Sequence, residues 1–443
     1  MKVVGLITEY NPFHNGHKYH IEEAKRVTSA DYAIAVMSGN FVQRGTPAII
    51  DKYSRTEMAL QNGIDLVLEL PVCYATGSAE FFAHGAVSLL DKLGIVDFLC
   101  FGSEAGDVTL LEEAARFLNN TSAAFDVRLQ SFLKDGFTYP AARLKALKLS
   151  LEEKGLSNAQ ELTKVLTEPN NILGIEYIKA LLSLSSSIIP VTIPRKSAHY
   201  HDSRLAKVTS VEAAYTPDQP NHLEEVAAVI SSATAIRKAF HNKDNNPTYD
   251  HFADLELSVP TNVHQILSNN YLKTYPITEE DFSQIIKYKL LSEDKKALTS
   301  YVDITNDLAD RLKNIPDLNL SISELCQHIK TKNYTLTRIN RALFHLLLNI
   351  KAECFDEYNR NSYVSYARVL GVKKEATHLL RKIEAYATIP LITKVSKANK
   401  QLDNLGMSML SEDLFASHLY NQVVYDKYKT NIVNEYKHGL VLI

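Results

Sequence analysis

Residues 5–25, GLITEYNPFHNGHKYHIEEAK, pass from an apolar run through three histidines into a segment with helical spacing. The run that begins at Lys2, KVVGLIT, is short and rich in β-branched and aliphatic side chains, so it predicts a buried strand. YHIEEAKRVT, residues 19–28, predicts a helix. Between them Pro12 fixes the entry turn and Gly16 lets a ligand approach the backbone closely. Where the carboxyl end of a strand feeds a helix N-terminus, free amides and the helix dipole favour an anion. His14 and His17 then read as donors to phosphate oxygens whose charge grows in a transition state. A surface pair, or half of a metal site, is the competing reading of H-x-x-H.

Working outward, YAIAVMS (32–38), DLVLELP (65–71) and VDFLCFGSE (96–104) predict further strands, and SRTEMALQNG (54–63) and SAEFFAHGAVSLLDKLG (78–94) predict the helices between them. Strand and helix in alternation mean a parallel sheet with crossover helices, a Rossmann-like α/β unit. Helical patterns follow at 107–120 and 168–184, then a strand, SIIPVTIPR (187–195), and a helix, SSATAIRKAF (231–240). HNKDNNP (241–247) is polar and rich in breakers, which places a domain boundary there. Two domains are expected: an α/β unit over 1–240 and a mainly α-helical one over 241–443. Helical spacing in the second includes EEDFSQIIKYKLL (279–291) and LTRINRALFHLLLNI (336–350), with little strand signal before the last residues.

Composition bounds the class. A chain of 443 residues with 45% hydrophobic and 22% charged side chains is long enough for two ordinary globular domains. A net charge of -3 announces no nucleic-acid partner globally. Cys73, Cys100, Cys326 and Cys354 stand far apart without C-x-x-C, so a zinc site is not expected and reduced thiols are. Without a secretory pattern at the start, or a run near the roughly 18 apolar residues of a membrane span, the expectation is a soluble cytoplasmic protein without a membrane partner.

A second phosphate motif, SSATAIR, spans Ser231 to Arg237. Ser232 and Thr234 suit a helix cap and a phosphate oxygen, and Arg237 a charge-assisted fork to a pyrophosphate leaving group. Taken singly it is equally a plain N-cap. The stretch 41–55 carries Gln43, Arg44, Asp51, Lys52 and Arg55 without periodicity and reads as a loop over the site. Gln43, Arg44 or Lys52 then meets a substrate, or the loop is merely solvated.

HNGH and SSATAIR together resemble the H-x-G-H nucleotidyltransferase superfamily, with Ala233 interrupting the commoner Ser-Ser-Thr order, which leaves open the hydroxyl that meets phosphate. GLITEYNPFHNGH, the stretch 37–71, FGSEAGD, EPNNILGIEYIKAL, SSATAIR, TLTRINRALFHLLL, YARVLG and IPLITKVSK look like the bacterial tRNA(Met) cytidine acetate ligase family from end to end. That resemblance implies an ATP-dependent ligase. Acetate would attack the α-phosphate of ATP, accompanied by Mg²⁺, and the acetyl-adenylate would acylate the exocyclic amine of the wobble cytidine of elongator tRNA(Met). It implies catalytic roles for His14, His17 and Arg237. It implies ATP contacts at Ile7, Thr8, Glu9, Tyr10, Asn11, Pro12, Phe13, His14, Asn15, Gly16, His17, Lys18, Tyr19 and His20, and at Gly102, Asn170, Arg195, Ser232 and Thr234. From the residues alone, Gly102 also suits a turn, Asn170 a helix cap and Arg195 a solvated charge. No metal ligands are expected.

Residues 331–400 hold thirteen Lys/Arg against five Asp/Glu in a chain of net charge -3. Their interleaving with Tyr334, Tyr363, Tyr366 and Tyr386 suits phosphate contact and base stacking, as well as a solvated helical surface. With the resemblance, Arg338, Arg341, Arg368, Lys373 and Lys397 become candidate tRNA contacts. A small-molecule adenylyltransferase would share the phosphate motifs but not need the basic stretch, and an RNA-binding relic would not need His14, Gly16, His17 and Arg237 together.

Overall fold

The computed structural model describes residues 1–120, 123–137, 139–153, 158–195, 231–241, 252–315 and 319–443. Its strands are β1 (Val3–Thr8), β2 (Tyr32–Ser38), β3 (Phe41–Val42), β4 (Thr46–Pro47), β5 (Leu66–Leu70), β6 (Phe98–Ser103), β7 (Ile189–Pro194), β8 (Ala367–Val372), β9 (Leu391–Ile392) and β10 (Val441–Leu442). The central sheet runs β10-β8-β5-β2-β1-β6-β7, with β9 paired to β8, and β3 and β4 form a separate hairpin. Neighbours in the sheet are parallel except β5 and β8.

Period-two alternation gives each strand two apolar faces. Val3, Ile34, Val36, Leu66, Leu68 and Phe101 pack on one side, under the helices Ala79–Lys92 and Pro169–Ser183. Val4, Leu6, Ala35, Met37, Val67 and Cys100 pack on the other with Ile21 and Ala24 of the helix Asn15–Thr28 and Met58 and Leu60 of the helix Lys52–Gln61. Gly5 permits the close approach of the first layer, since a Cβ there would lie 2.8 Å from Leu90.

The two halves share this core. Val36 and Leu68 belong to the same buried cluster as Phe344, Leu414 and Tyr420. β8 and β10, from beyond residue 241, complete the sheet beside β5. The second half therefore contributes strands as well as helices, and β8 was absent from the expected elements. Most of the segment 241–247 lies outside the described residues.

The stretch 41–55 is not a loop. β3 and β4 are followed by Asp51, which caps the helix Lys52–Gln61 by accepting from the amides of Tyr53 and Ser54. Gly45 at the hairpin turn has φ 66°, and a Cβ there would lie 2.4 Å from the Arg341 backbone, so only glycine lets the turn sit against the helix Leu336–Leu347. Arg55 is fully buried and donates to the carbonyls of Glu9, Ser38, Gly39 and Ile50, gathering the carboxyl ends of β1 and β2.

Lys52 is equally buried, as is Arg368. Lys52 Nζ lies 2.8 Å from Glu69 Oε1 and 3.2 Å from Glu435 Oε2. Arg368 Nη1 lies 2.9 Å from Glu69 Oε2, and its Nη2 pairs with Glu435. Two cations and two carboxylates thus neutralise each other inside the molecule. This corrects two expectations: Lys52 does not reach a substrate, and Arg368, 3% exposed, does not reach tRNA. Leaving a buried charge unpaired costs about 3–5 kcal/mol. Glu435→Gln is accordingly expected to lower the unfolding free energy by about that amount in urea titrations, whereas exposed Lys397→Ala should change it by less than about 0.5 kcal/mol.

Candidate active site

The helix Asn15–Thr28 begins at the carboxyl side of β1, and His14 is its N-cap, with extended backbone at φ −148° and ψ 172°. His14 Nδ1 accepts from the Gly16 amide at 3.1 Å, and the His14 amide donates to His17 Nδ1 at 3.2 Å. The two imidazoles therefore cap the helix reciprocally, a role usually filled by a hydroxyl and a carboxylate. Each Nδ1 is an acceptor, so each proton resides on Nε2 and each ring is neutral. The rings stack with centroids 3.7 Å apart.

Burial holds them uncharged. It pushes the His14 pKa down to about 3, helped by the positive charges of Arg195 and Arg237, and depresses His17 well below the usual histidine value, helped by His14 and His20. His20, one turn on, falls to about 4 by burial and the charge of Arg195. Its Nε2 is buried and, among the described residues, has no hydrogen-bond partner.

The backbone does not supply the free amides expected at this corner. The Asn15 amide donates to Ser258, that of Gly16 to His14 Nδ1, and those of His17 and Lys18 to the His14 carbonyl. With those amides engaged, the donor each imidazole retains is its Nε2–H, and both rings line the same cleft.

A cleft of about 200 Å³ opens beside them, lined by Ile7, His14, Gly16, His17, Tyr19, His20, Gly102, Asn170, Arg195, Ser231 and Ser232. Its remaining wall, Phe101, Leu173, Tyr177, Ile193 and Pro194, is largely apolar and has the chemistry to cover a flat heteroaromatic ring. These wall residues were not singled out from the sequence, because each looks like ordinary strand or helix core. Asn170 Oδ1 accepts from Arg195 Nη1 at 2.6 Å.

Other expected ATP contacts lie behind the cleft. Tyr10 and Phe13 are buried, and their rings pack at 4.9 and 5.5 Å from that of His17, bracing it. Glu9 accepts from the Gln43 amide, and Asn11 Oδ1 from the Ile49 amide. Pro12 is buried in the same turn, and Thr8 Oγ1 is buried at the end of β1. Asn15 donates from its side chain to Leu257, and Lys18 is exposed beside Glu22. None of these eight lines the cleft.

In the second motif, Ser232 lines the cleft and accepts from the Ala235 amide at 3.1 Å, whereas Thr234 accepts from Arg237 Nη2 at 3.2 Å. Ser231 and Ser232 are therefore the motif hydroxyl residues on the cleft side, Ser231 Oγ lying 2.8 Å from Ser258 Oγ. Arg237 donates to the Asn11 carbonyl at 2.7 Å, which ties the helix Ala233–His241 to the turn before His14. Its positive charge is still close enough to help hold the His14 pKa down, after burial and Arg195.

The basic candidates separate by place. Lys373 follows β8 at the amino edge of the parallel strands, donating its amide to the Asp65 carbonyl and lying 3.6 Å from the Asp65 carboxylate. The cleft is at the opposite, carboxyl edge, so Lys373 does not belong to a surface around it. Arg341 Nε pairs with Asp303 at 2.9 Å, and Arg338 lies over the Tyr334 ring at 4.9 Å. Lys394, Lys397 and Lys400 are exposed after β9, which starts at the carboxyl edge beside Ala367 and, being parallel to β8, runs toward the amino edge.

Comparison with known proteins agrees with this arrangement. A family model described as HIGH Nucleotidyl Transferase matches residues 1–216 and 217–435. The chain is 41% identical over 421 residues to the tRNA(Met) cytidine acetate ligase of Thermoanaerobacter sp. (strain X514), covering 95% of each. It is 38% identical over 421 residues to the Acetivibrio thermocellus enzyme of the same name, covering 95% of this chain and 94% of that one. The crystal structure of Thermotoga maritima TmcAL bound with alpha-thio ATP matches with a TM-score of 0.85 and 30% identity, covering both chains fully, and the apo form with 0.87.

The tautomers and pKa values are open to direct measurement. Long-range ¹H–¹⁵N spectra of labelled protein, assigned with His14→Gln and His17→Gln, are expected to show neutral Nε2–H rings at pH 5. An unfolded histidine is largely charged there. Because the folded pKa values lie below the unfolded one, the unfolded chain binds more protons between about pH 6.5 and 3, so these rings weaken folding as pH falls through that window.

Proposed function

Since the chain belongs to the tRNA(Met) cytidine acetate ligase family of HIGH nucleotidyltransferases, we propose that it activates acetate with ATP and transfers the acetyl group to the wobble cytidine of elongator tRNA(Met). The observation that carries the chemistry is the stacked pair of neutral imidazoles, His14 and His17, with both Nδ1 atoms engaged in the helix cap and both rings lining the cleft.

An acetate oxygen attacks the α-phosphorus, the bond from that phosphorus to the bridging oxygen of pyrophosphate breaks, and acetyl-adenylate and pyrophosphate result. The Nε2–H donors of His14 and His17 stabilise charge developing on the phosphate oxygens. Being neutral, they favour the transition state by directed hydrogen bonds. The nearby charges of Arg195 and Arg237 attract the triphosphate. The exocyclic amine of cytidine then attacks the acetyl carbon, the carbon–oxygen bond to AMP breaks, and the amine loses a proton, leaving N4-acetylcytidine. The apolar wall at Phe101, Leu173 and Tyr177 takes the adenine.

Among the described residues no group of three or more His, Cys, Asp or Glu is placed to hold a metal ion. Mg²⁺ therefore enters this proposal only as the companion of the nucleotide. No helix among those residues is long and apolar enough to cross a membrane, and we assign the protein to the cytoplasm, where tRNA and ATP are found. The tRNA surface we assign is Lys394, Lys397 and Lys400 after β9, joined by Arg338 and, through the free edge of its ion pair, Arg341.

Incubation with ATP, labelled acetate and total tRNA, followed by nucleoside analysis, is expected to give labelled N4-acetylcytidine; label confined to acetyl-adenylate or absent from tRNA counts against the assignment. His17→Ala should slow acetate-dependent ATP–pyrophosphate exchange by about a hundredfold or more, as for other preorganised donors. Lys394→Glu combined with Lys397→Glu should abolish tRNA acetylation while leaving that exchange unaltered, and should reduce the salt slope of tRNA binding by about one unit for each phosphate that is no longer neutralised.

A further inference from the structure

Glu104 stands one residue beyond β6, and its carboxylate collects three donors. These are the Asn170 amide at 3.3 Å, the Asn170 side-chain Nδ2, and the Asn171 amide at 2.9 Å. An ionised carboxylate only accepts, so Asn170 must turn Nδ2 toward Glu104. Its Oδ1 then faces the other way, where it receives Arg195 Nη1 at 2.6 Å. The stem of Arg195 lies along Gly102, where a Cβ would be 3.3 Å from Arg195 Cγ. Gly102, Asn170 and Arg195 line the cleft, and Glu104 does not.

We infer that Glu104 is a positioning residue for the nucleotide subsite: it fixes which face of the Asn170 amide meets Arg195, and through that contact it holds the guanidinium over the cleft. The inference rests on the reading of ATP as substrate. It competes with a simpler role in which the Glu104 charge only tempers that of Arg195. The two differ in sign. Removing a bare negative charge near the site would tighten binding of a tetra-anion, whereas losing the acceptor frees Asn170 to rotate and loosens it.

The test is ATP–pyrophosphate exchange with saturating acetate for wild type, Glu104→Ala, Glu104→Gln, Asn170→Ala and the double variant Glu104→Ala with Asn170→Ala, each with its melting temperature. Glu104→Ala is expected to raise KM for ATP about tenfold, the scale of one hydrogen bond to a charged group, with kcat within about twofold. Glu104→Gln, whose carbonyl still accepts, should recover most of that loss. If Glu104 acts through Asn170, the double variant is no worse than Asn170→Ala alone. A lower KM in both Glu104 variants, losses that multiply in the double variant, or a fallen melting temperature with unchanged KM would each overturn the inference. Absence of exchange in the wild type would overturn the ATP reading beneath it, which separates the two failures.

Discussion

Everything on the carboxyl side of the sheet rests on four charges withdrawn from water: Lys52, Glu69, Arg368 and Glu435. They come from a helix start, two antiparallel strands and the segment near residue 435, so their neutrality requires β5 and β8 to be paired and the later segment to be in place. Tyr53 donates to Glu435 and Ser417 accepts from Lys52, which draws the helix Asn404–Tyr428 into the same knot. Such a cluster gives little net stability over an apolar packing of equal volume, but it tolerates no missing member. Its value lies in register. Arg55, three residues along the helix from Lys52, transmits that register to the turn after β1 by holding the Glu9 carbonyl.

From that turn the site is built almost without charge of its own. His14 and His17 spend one nitrogen each on closing their helix, and burial keeps them from acquiring a proton. Positive charge enters from two later segments, at Arg195 and Arg237, both held by oxygen acceptors that are not carboxylates: Asn170 Oδ1 for one, the Asn11 carbonyl and Thr234 for the other. Under the function proposed above, the arrangement separates attraction of a polyanion, assigned to the arginines, from recognition of its reacting phosphate, assigned to the imidazoles.

The parallel strands β1, β2, β5, β6 and β7 and the H-x-G-H corner were legible in the sequence because they depend on local pattern: apolar runs of strand length, helical spacing between them, and Pro12 and Gly16 at a junction. β8 was not, since Ala367–Val372 lies within helical text and its partner β5 is about 300 residues away. The same distance concealed the fate of Arg368. A lysine- and arginine-rich stretch announces a surface, and nothing near Arg368 in the chain reveals that Glu69 waits to bury it. The closed helix amides are hidden for a different reason: histidine is an unusual cap, and H-x-x-H looks the same whether its Nδ1 atoms close a helix or face a phosphate. Glu104 was visible as a residue but not as a role, because that role depends on which way Asn170 turns.

The pairing of β5 with β8 also bears on how the chain comes into being. A ribosome releasing about 5–20 residues per second leaves Leu66–Leu70, a strand buried along its whole length in the finished molecule, without its outer neighbour for roughly 15 to 60 s until Ala367–Val372 emerges. During that interval an apolar strand edge, with Lys52 and Glu69 beside it lacking half their partners, faces solvent and invites pairing with other chains. Synthesis is thus a period in which this architecture shows an edge that the finished molecule covers.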